Sequence, residues 1–221
     1  MSPVPSPGIS PRRVAWFAAF VCVLGVGLGA SEGPAQAAAA RSRFDRALRS
    51  TKNLTADYRQ FRSSKALGQG PVTAGTLQYE SPGRWRFTST GKTRSTVYVN
   101  EDTVWFYQPD RKSVVKSRSV DAGGPSTALF GPSVAALERH WKISEIGAAG
   151  LRFVPRDGAA GPWRRFEVTL DPRTGLPRRV VLLESEDERV TLELSNLKVN
   201  RKIVPTRFPP VFPAGTNVVA L

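Results

Sequence analysis

Between Ser81 and Pro109 the chain reads SPGRWRF, a polar link, STVYVN and EDTVWFYQP, three short strand-like runs whose aromatics crowd both strand faces. Successive residues of a strand point to opposite sides of the pleat, so a half-solvated antiparallel sheet alternates apolar with polar side chains. Val104, Trp105, Phe106 and Tyr107 break that alternation. Each face of this sheet therefore needs an apolar cover, supplied by a packed helix, a second layer or a ligand.

The rest of the chain follows the same period of two. Leu54, Ala56 and Tyr58 alternate with Thr55, Asp57 and Arg59, and Phe61 extends the run. The loop GQGP (68–71) turns the chain into a strand over 72–80, and further strands are predicted over 84–89, 96–100, 103–108, 113–117, 141–146, 151–154, 164–170, 178–184 and 189–199. Turn chemistry such as Ser81-Pro82-Gly83 and Asp171-Pro172-Arg173-Thr174-Gly175 separates them, which predicts a continuous antiparallel meander. Helical spacing marks two departures from it. Phe44, Ala47 and Leu48 predict a short amphipathic helix over 42–51, with Ser42 as its cap. A helical insert over about 125–140 carries Leu129 and Phe130 in one piece and Val134, Leu137 and the following Trp141 in the next, broken at Gly131-Pro132.

The fold begins after an export segment. Arg12 and Arg13 precede the apolar run 14–28, and Ala35-Gln36-Ala37 has the form of a signal-peptidase site, so residues 1–37 are read as a signal peptide cut near Ala37. The alternative is an uncleaved membrane anchor, for which the run is short and Gly-rich against a span of ~20 residues. The arginine pair leaves the export route, general or twin-arginine, undecided. Residues 38–221 then form one domain without cysteine, since the single Cys22 lies in the export segment, and this excludes disulfides, thiol catalysis and thiolate metal sites. Removing Arg12, Arg13 and Glu32 from the 32 basic and 18 acidic residues leaves 30 and 17, a net charge of +13. Such a balance favours encounter with acidic partners.

Catalytic and metal chemistry find little support. His140 is the only histidine, and no G-x-S-x-G elbow accompanies it. Glu184, Glu186, Asp187 and Glu188 fall at a turn between alternating strands and are read as a solvated hairpin tip. Gly91-Lys92-Thr93 lacks the earlier glycine and following helix of a phosphate loop, since Arg86 stands in the glycine's place. Arg84 and Arg86 around Trp85 and Phe87 are read as the cationic outer face of a strand, not as a nucleic-acid site. What remains is an inner apolar face expected to hold Leu77, Tyr79, Trp85, Phe87, Val97, Val99, Trp105 and Tyr107, capped by Leu129 and Phe130. It is either ordinary core beneath the helices or the wall of an apolar cavity with a helical lid. The opposite face is expected to take the N-terminal helix, with Phe44 and Leu48 against Phe106.

The order of motifs resembles one known family. An export signal, LTADYRQF, P-G-R-W-R-F, D-T-V-W-F-Y-Q-P, a P-x-x-x-L-F insert and a closing F-P-A-G-T-N-V-V, together spanning Phe44 to Val219, are similar to the outer-membrane lipoprotein carrier protein (LolA) family. The resemblance implies an α+β, mainly antiparallel fold: an incomplete, open β-barrel whose concave face is covered by helices that form a lid. It also implies a non-enzymatic, monomeric periplasmic carrier without cofactor or metal. Such a carrier takes the acyl chains of lipoproteins from an inner-membrane ABC transporter to the outer membrane, where an acceptor protein or an anionic lipid surface receives them. In that scheme Phe87 and Trp105 belong to the cavity wall, Leu129, Phe130, Val134 and Leu137 to the lid, and Gly131-Pro132 to its hinge. Trp85 marks the cavity edge and transporter contact. The family's basic latch residue before the turn proline is here Ser81, which leaves Arg84 as the substitute. A sensory or regulatory domain of similar fold, binding lipid or a partner without shuttling cargo, is the alternative.

Overall fold

The computed structural model describes residues 34–91, 94–100, 103–118, 129, 133–156, 164–204 and 209–220. Helix α1 covers Pro34–Ser50, beginning well before the expected Ser42. The run AQAAAA supplies the reason, because alanine has the highest intrinsic helix propensity and needs no cap at Ser42 to continue. The expected cut near Ala37 falls within this helix, and residues 1–33 lie outside the described part. Ala40, Phe44, Ala47 and Leu48 form its buried stripe, at the spacing of one helix face. Its C-terminal end is tied to the sheet by Asn200, whose Oδ1 accepts from the Lys52 amide (2.8 Å) while its Nδ2 donates to the Ser50 carbonyl (2.7 Å).

Thirteen strands among the described residues form one sheet. In chain order they are β1 (Asn53–Ser64), β2 (Gly68–Gln69), β3 (Thr73–Glu80), β4 (Arg84–Thr90), β5 (Ser95–Asn100), β6 (Thr103–Gln108), β7 (Ser113–Arg118), β8 (Trp141–Ile146), β9 (Gly150–Pro155), β10 (Arg165–Leu170), β11 (Pro177–Leu183), β12 (Glu188–Val199) and β13 (Asn217–Ala220). The order across the sheet is β13-β7-β6-β5-β4-β3-β1-β12-β11-β10-β9-β8, with β2 beside β1. The two ends, β13 and β8, do not pair, so the barrel stays open as expected. A short helix α2 (Val134–Leu137) lies between β7 and β8. No helix among the described residues is long and apolar enough to cross a membrane.

One pairing departs from the antiparallel meander. The chain leaves β12 in the middle of the sheet and returns at the far edge, where β13 runs parallel to β7 with Val218 opposite Val114 and Val219 opposite Val115. On the way it passes over the outer face, where the Phe212 ring sits 6.1 Å from Tyr98 and 5.2 Å from Tyr107. This segment, and not α1, is the cover of the outer face seen at Tyr98 and Tyr107; α1 packs on the inner side against β8, β9 and α2.

Side chains from both halves of the sheet meet in a single apolar cluster with α1 and α2. Phe153 stacks on Phe166 (4.2 Å, 9°), Trp141 stands edge-on to Phe166 (4.7 Å), and Phe44 of α1 meets Phe153 edge-on (6.2 Å). In the other half Gly75 allows β3 and β4 to approach, since a Cβ there would come within 2.0 Å of the Thr88 carbonyl oxygen.

Candidate functional site

The inner face of β1 and β3–β7 is an aromatic wall. Strand alternation places Tyr58, Leu77, Tyr79, Trp85 and Phe87 on it, and the pairs Tyr79–Trp85, Leu77–Phe87, Trp85–Val99 and Phe87–Val97 align them across three strands. The rings touch in sequence: Tyr58 edge-on to Phe87 (5.9 Å), Phe87 stacked with Trp85 (5.9 Å, 11°), Trp85 tilted against Tyr79 (4.7 Å). All of these residues, and Leu129, are buried in the common cluster. Burial pushes the Tyr58 hydroxyl up to about 12 and raises Tyr79 as well, the latter opposed by a hydrogen bond with Ser81. Both phenols therefore stay neutral and protonated throughout the physiological range.

Two expected wall residues lie on the other side. Val97 pairs with Phe106 and Val99 with Val104, so Val104 and Phe106 face inward while Trp105 and Tyr107 face outward. The pairing of Asn100 with Thr103 fixes this, because a register set by a two-residue connection decides the face of every side chain after it. Trp105 joins an outer row with Arg86, Tyr98 and Lys116, in which the Arg86 guanidinium lies over the Tyr98 ring (5.8 Å). Tyr58, Val104, Phe106 and Val115 complete the inner wall instead. Tyr58 was legible from its alternation with Leu54 and Ala56; Phe106 required the register.

The lid expectation divides similarly. Leu129, Val134 and Leu137 are buried in the common cluster, whereas Phe130, Gly131 and Pro132 lie outside the described residues. Ser133 caps α2 by accepting from the Ala136 amide (3.1 Å). Two further ties come from α1. Asp45 Oδ1 accepts from the Val134 amide at the start of α2 (2.7 Å), and Arg41 pairs with Glu138 at its end. Burial pushes the Asp45 carboxyl up, but the hydrogen bonds from Arg49 and Val134 and the charges of Arg49 and Arg41 outweigh it, holding the group below its ordinary value. Arg84 emerges on the face opposite Trp85, with its guanidinium 3.6 Å from its cross-strand partner Glu80.

Nothing among the described residues gathers three His, Cys, Asp or Glu into a metal-binding group, and His140 is exposed. The acidic turn is less solvated than its sequence suggests. Glu186 and Asp187 are exposed and pair with Arg164 and Lys65, but the Glu184 side chain is only 10% exposed and pairs with Arg62. Burial pushes its carboxyl up against the opposing Arg62 charge.

An open antiparallel sheet with one apolar, aromatic face under helices is the architecture that the motif order implied. The LolA family model, described as outer membrane lipoprotein carrier protein LolA, matches residues 49–210. The chain belongs to this family. The match begins at the end of α1 and stops before β13, so it contains the whole aromatic wall and α2. Relatives named outer-membrane lipoprotein carrier protein include those of Chromobacterium violaceum, 27% identical over 192 residues (85% of this chain, 90% of that one), and Bordetella pertussis, 26% identical over 194 residues with the same coverage. Among solved structures, a LolA superfamily protein from Nitrosomonas europaea superposes with a TM-score of 0.46 at 7% identity, covering 76% of this chain and 94% of that one. Lipoprotein LppX of Mycobacterium tuberculosis gives 0.43 at 14%, covering 79% and 100%. The family is one of binding and transport proteins, not of enzymes.

Proposed function

We propose that this protein is a periplasmic lipoprotein carrier, which holds the acyl chains of lipoproteins against the inner aromatic wall beneath Leu129 and α2 and brings them from an inner-membrane ABC transporter to the outer membrane. The observation that carries this reading is the family match across residues 49–210, which encloses the wall formed by Tyr58, Leu77, Tyr79, Trp85, Phe87, Val97 and Val99.

The energetics suit reversible carriage. Hydrating an acyl chain costs ~0.8 kcal/mol per CH₂, so several long chains held at full value exceed the ~20 kcal/mol ceiling of non-covalent affinity. A wall already packed against itself avoids that excess. Cargo then exchanges one set of apolar contacts for another, and only the difference appears as affinity. The net charge of +13 on residues 38–221 adds attraction to the acidic surface of a transporter or to anionic lipids, a steering effect that salt screens.

The test is to incubate residues 38–221 with membranes loaded with lipoprotein and to assay the soluble fraction. A carrier brings lipoprotein into solution, and Phe87→Glu or Leu129→Glu abolishes the transfer, because each places a charge among the acyl chains. A lipid-sensing or partner-binding domain leaves the lipoprotein in the membrane. Full transfer by the folded double variant would remove the wall from the reading.

A further inference from the structure

The outer face holds a cavity of about 540 Å³ that lies apart from the inner aromatic wall. It sits over β12, β1 and β3, and six polar side chains line it: Thr55, Asp57, Thr76, Gln78, Asn196 and Lys198. Strand alternation explains why they gather. Leu54, Ala56, Tyr58 and Leu77 are buried in the core, so Thr55, Asp57, Thr76 and Gln78 emerge on the other side. Thr55 stands opposite both Gln78 and Lys198, and Asp57 stands opposite Thr76. Neighbouring strands lie ~4.8 Å apart and alternate residues of one strand ~6.7 Å, so these groups form a grid of roughly 10 by 7 Å.

The β12 side of the grid is irregular. The register of β1 against β12 shifts between Thr55 and Asp57, where Asn196 and Leu197 together oppose Ala56, and Asn196 takes a left-handed conformation (φ 52°). A bulge re-aims the side chains around it. Here the Asn196 Nδ2 donates to Asp57 Oδ2 at 2.6 Å, which holds the carboxylate in place. On the β3 side, the Gln78 Nε2 donates to the Val204 carbonyl (2.8 Å) and to Glu80 Oε1 (3.1 Å). With both amide hydrogens so engaged, Gln78 offers a ligand its Oε1 acceptor. The cavity thus combines two held acceptors, Asp57 and Gln78, with the hydroxyls of Thr55 and Thr76 and the ammonium of Lys198.

Its volume falls within the ~300–1,000 Å³ of small-molecule sites, and the side chains say which chemistry fits. A phosphate needs donors and is repelled by the Asp57 carboxylate; an amine needs acceptors and is repelled by Lys198. A peptide strand needs a free sheet edge, whereas β12, β1 and β3 are paired on both sides. A polyol suits the mixture, because every hydroxyl both donates and accepts and can bridge an acceptor to a neighbouring donor. Leu197, also in the lining, adds a small apolar surface for ring C–H groups. We propose that this outer cavity is a saccharide site. Asp57 and Gln78 accept from the sugar hydroxyls, Lys198 and the two threonines donate to them, and Asn196 positions Asp57. The site is separate from the inner wall, so it stands independently of the acyl-binding reading.

The experiment titrates maltose, cellobiose and N,N′-diacetylchitobiose into the isotope-labelled protein and follows its amide signals by NMR. At least one of these sugars should move the signals of Thr55, Asp57, Thr76 and Asn196 and leave those of Trp85 and Phe87 in place. Asp57→Ala should weaken that binding about tenfold, the size of one hydrogen bond to a charged group within reach of solvent. Asn196→Gly keeps the left-handed backbone, removes the side chain that holds Asp57, and should weaken binding by a smaller factor. Unchanged core signals in each variant separate loss of the site from loss of the fold. Glycerophosphoethanolamine and inorganic phosphate are the rival probes. Shifts with either of them and with none of the sugars would overturn the assignment, as would no sugar-dependent shift in wild type or wild-type affinity in both variants. None of these outcomes bears on lipoprotein release, which the membrane assay reads.

Discussion

Removing the Asp45 carboxylate should loosen α2 without disturbing the sheet. Asp45 Oδ1 accepts from the Val134 amide at 2.7 Å, and its second oxygen takes the Arg49 Nε at 2.7 Å. A hydrogen bond to a charged group is worth ~1.5–3 kcal/mol when fully shielded. The Asp45 side chain keeps 30% of its surface, so solvent competition brings the Val134 bond down to about 1 kcal/mol. The Arg49 pair, four residues along the same helix, adds ~0.3–0.5 kcal/mol. Asp45→Ala should therefore cost about 1.5 kcal/mol, or roughly 3–6 °C in Tm for a domain of this size. The loss should be local: amide exchange at Ala136 and Leu137 accelerates while the β10 and β11 amides stay protected. Asp45→Asn, which keeps an acceptor but no charge, should recover part of it. The pH dependence has a definite sign. The folded carboxyl titrates below its ordinary value of 3.8, so its contribution is complete above that value and is lost as pH falls through the lowered one. The Tm gap between wild type and Asp45→Ala should thus be constant at neutral pH and close in acid. A Tm within 1 °C of wild type with unchanged exchange in α2 would refute the clamp.

Two other substitutions separate the faces of the sheet. Gly75→Ala forces a Cβ to within 2.0 Å of the Thr88 carbonyl oxygen and should prevent soluble expression or lower stability by several kcal/mol, read by chemical denaturation; a mild effect would mean that β3 and β4 can part at little cost. Phe212→Ala removes ring contacts with Tyr98 and Tyr107 worth ~0.5–1.5 kcal/mol each. It should lower Tm by several degrees and leave lipoprotein release unaffected, whereas loss of release in a folded variant would give the outer face a part in cargo binding.

Much of the fold was legible locally because its determinants are local. Alternation in LTADYRQ and RWRF specified strands β1 and β4 and the inward faces of Tyr58, Trp85 and Phe87. Turn residues separated the strands, and of the helical insert expected over about 125–140 the described residues include Leu129 and the helix Val134–Leu137, while 125–128 and 130–132 lie outside them. Even the inner wall was mostly readable, since Leu77, Tyr79, Val97 and Val99 follow the same parity. Parity fails as a guide wherever two runs are apolar on both sides. VWFY admits either assignment, and the pairing of Asn100 with Thr103 turned Trp105 and Tyr107 outward.

The sequence by itself determined a cysteine-free domain, a mainly antiparallel sheet with helices and an order of motifs shared with the LolA family, because propensity, period and turn chemistry act over a few residues. Tertiary structure alone decided what covers each face. The Val134 amide meets Asp45 across 89 positions of chain, Phe212 reaches Tyr98 and Tyr107 only after the chain has crossed the outer face, and β13 runs parallel to β7 because of that crossing. Contacts between distant segments depend on how the whole sheet curls around one core, and no local pattern encodes that.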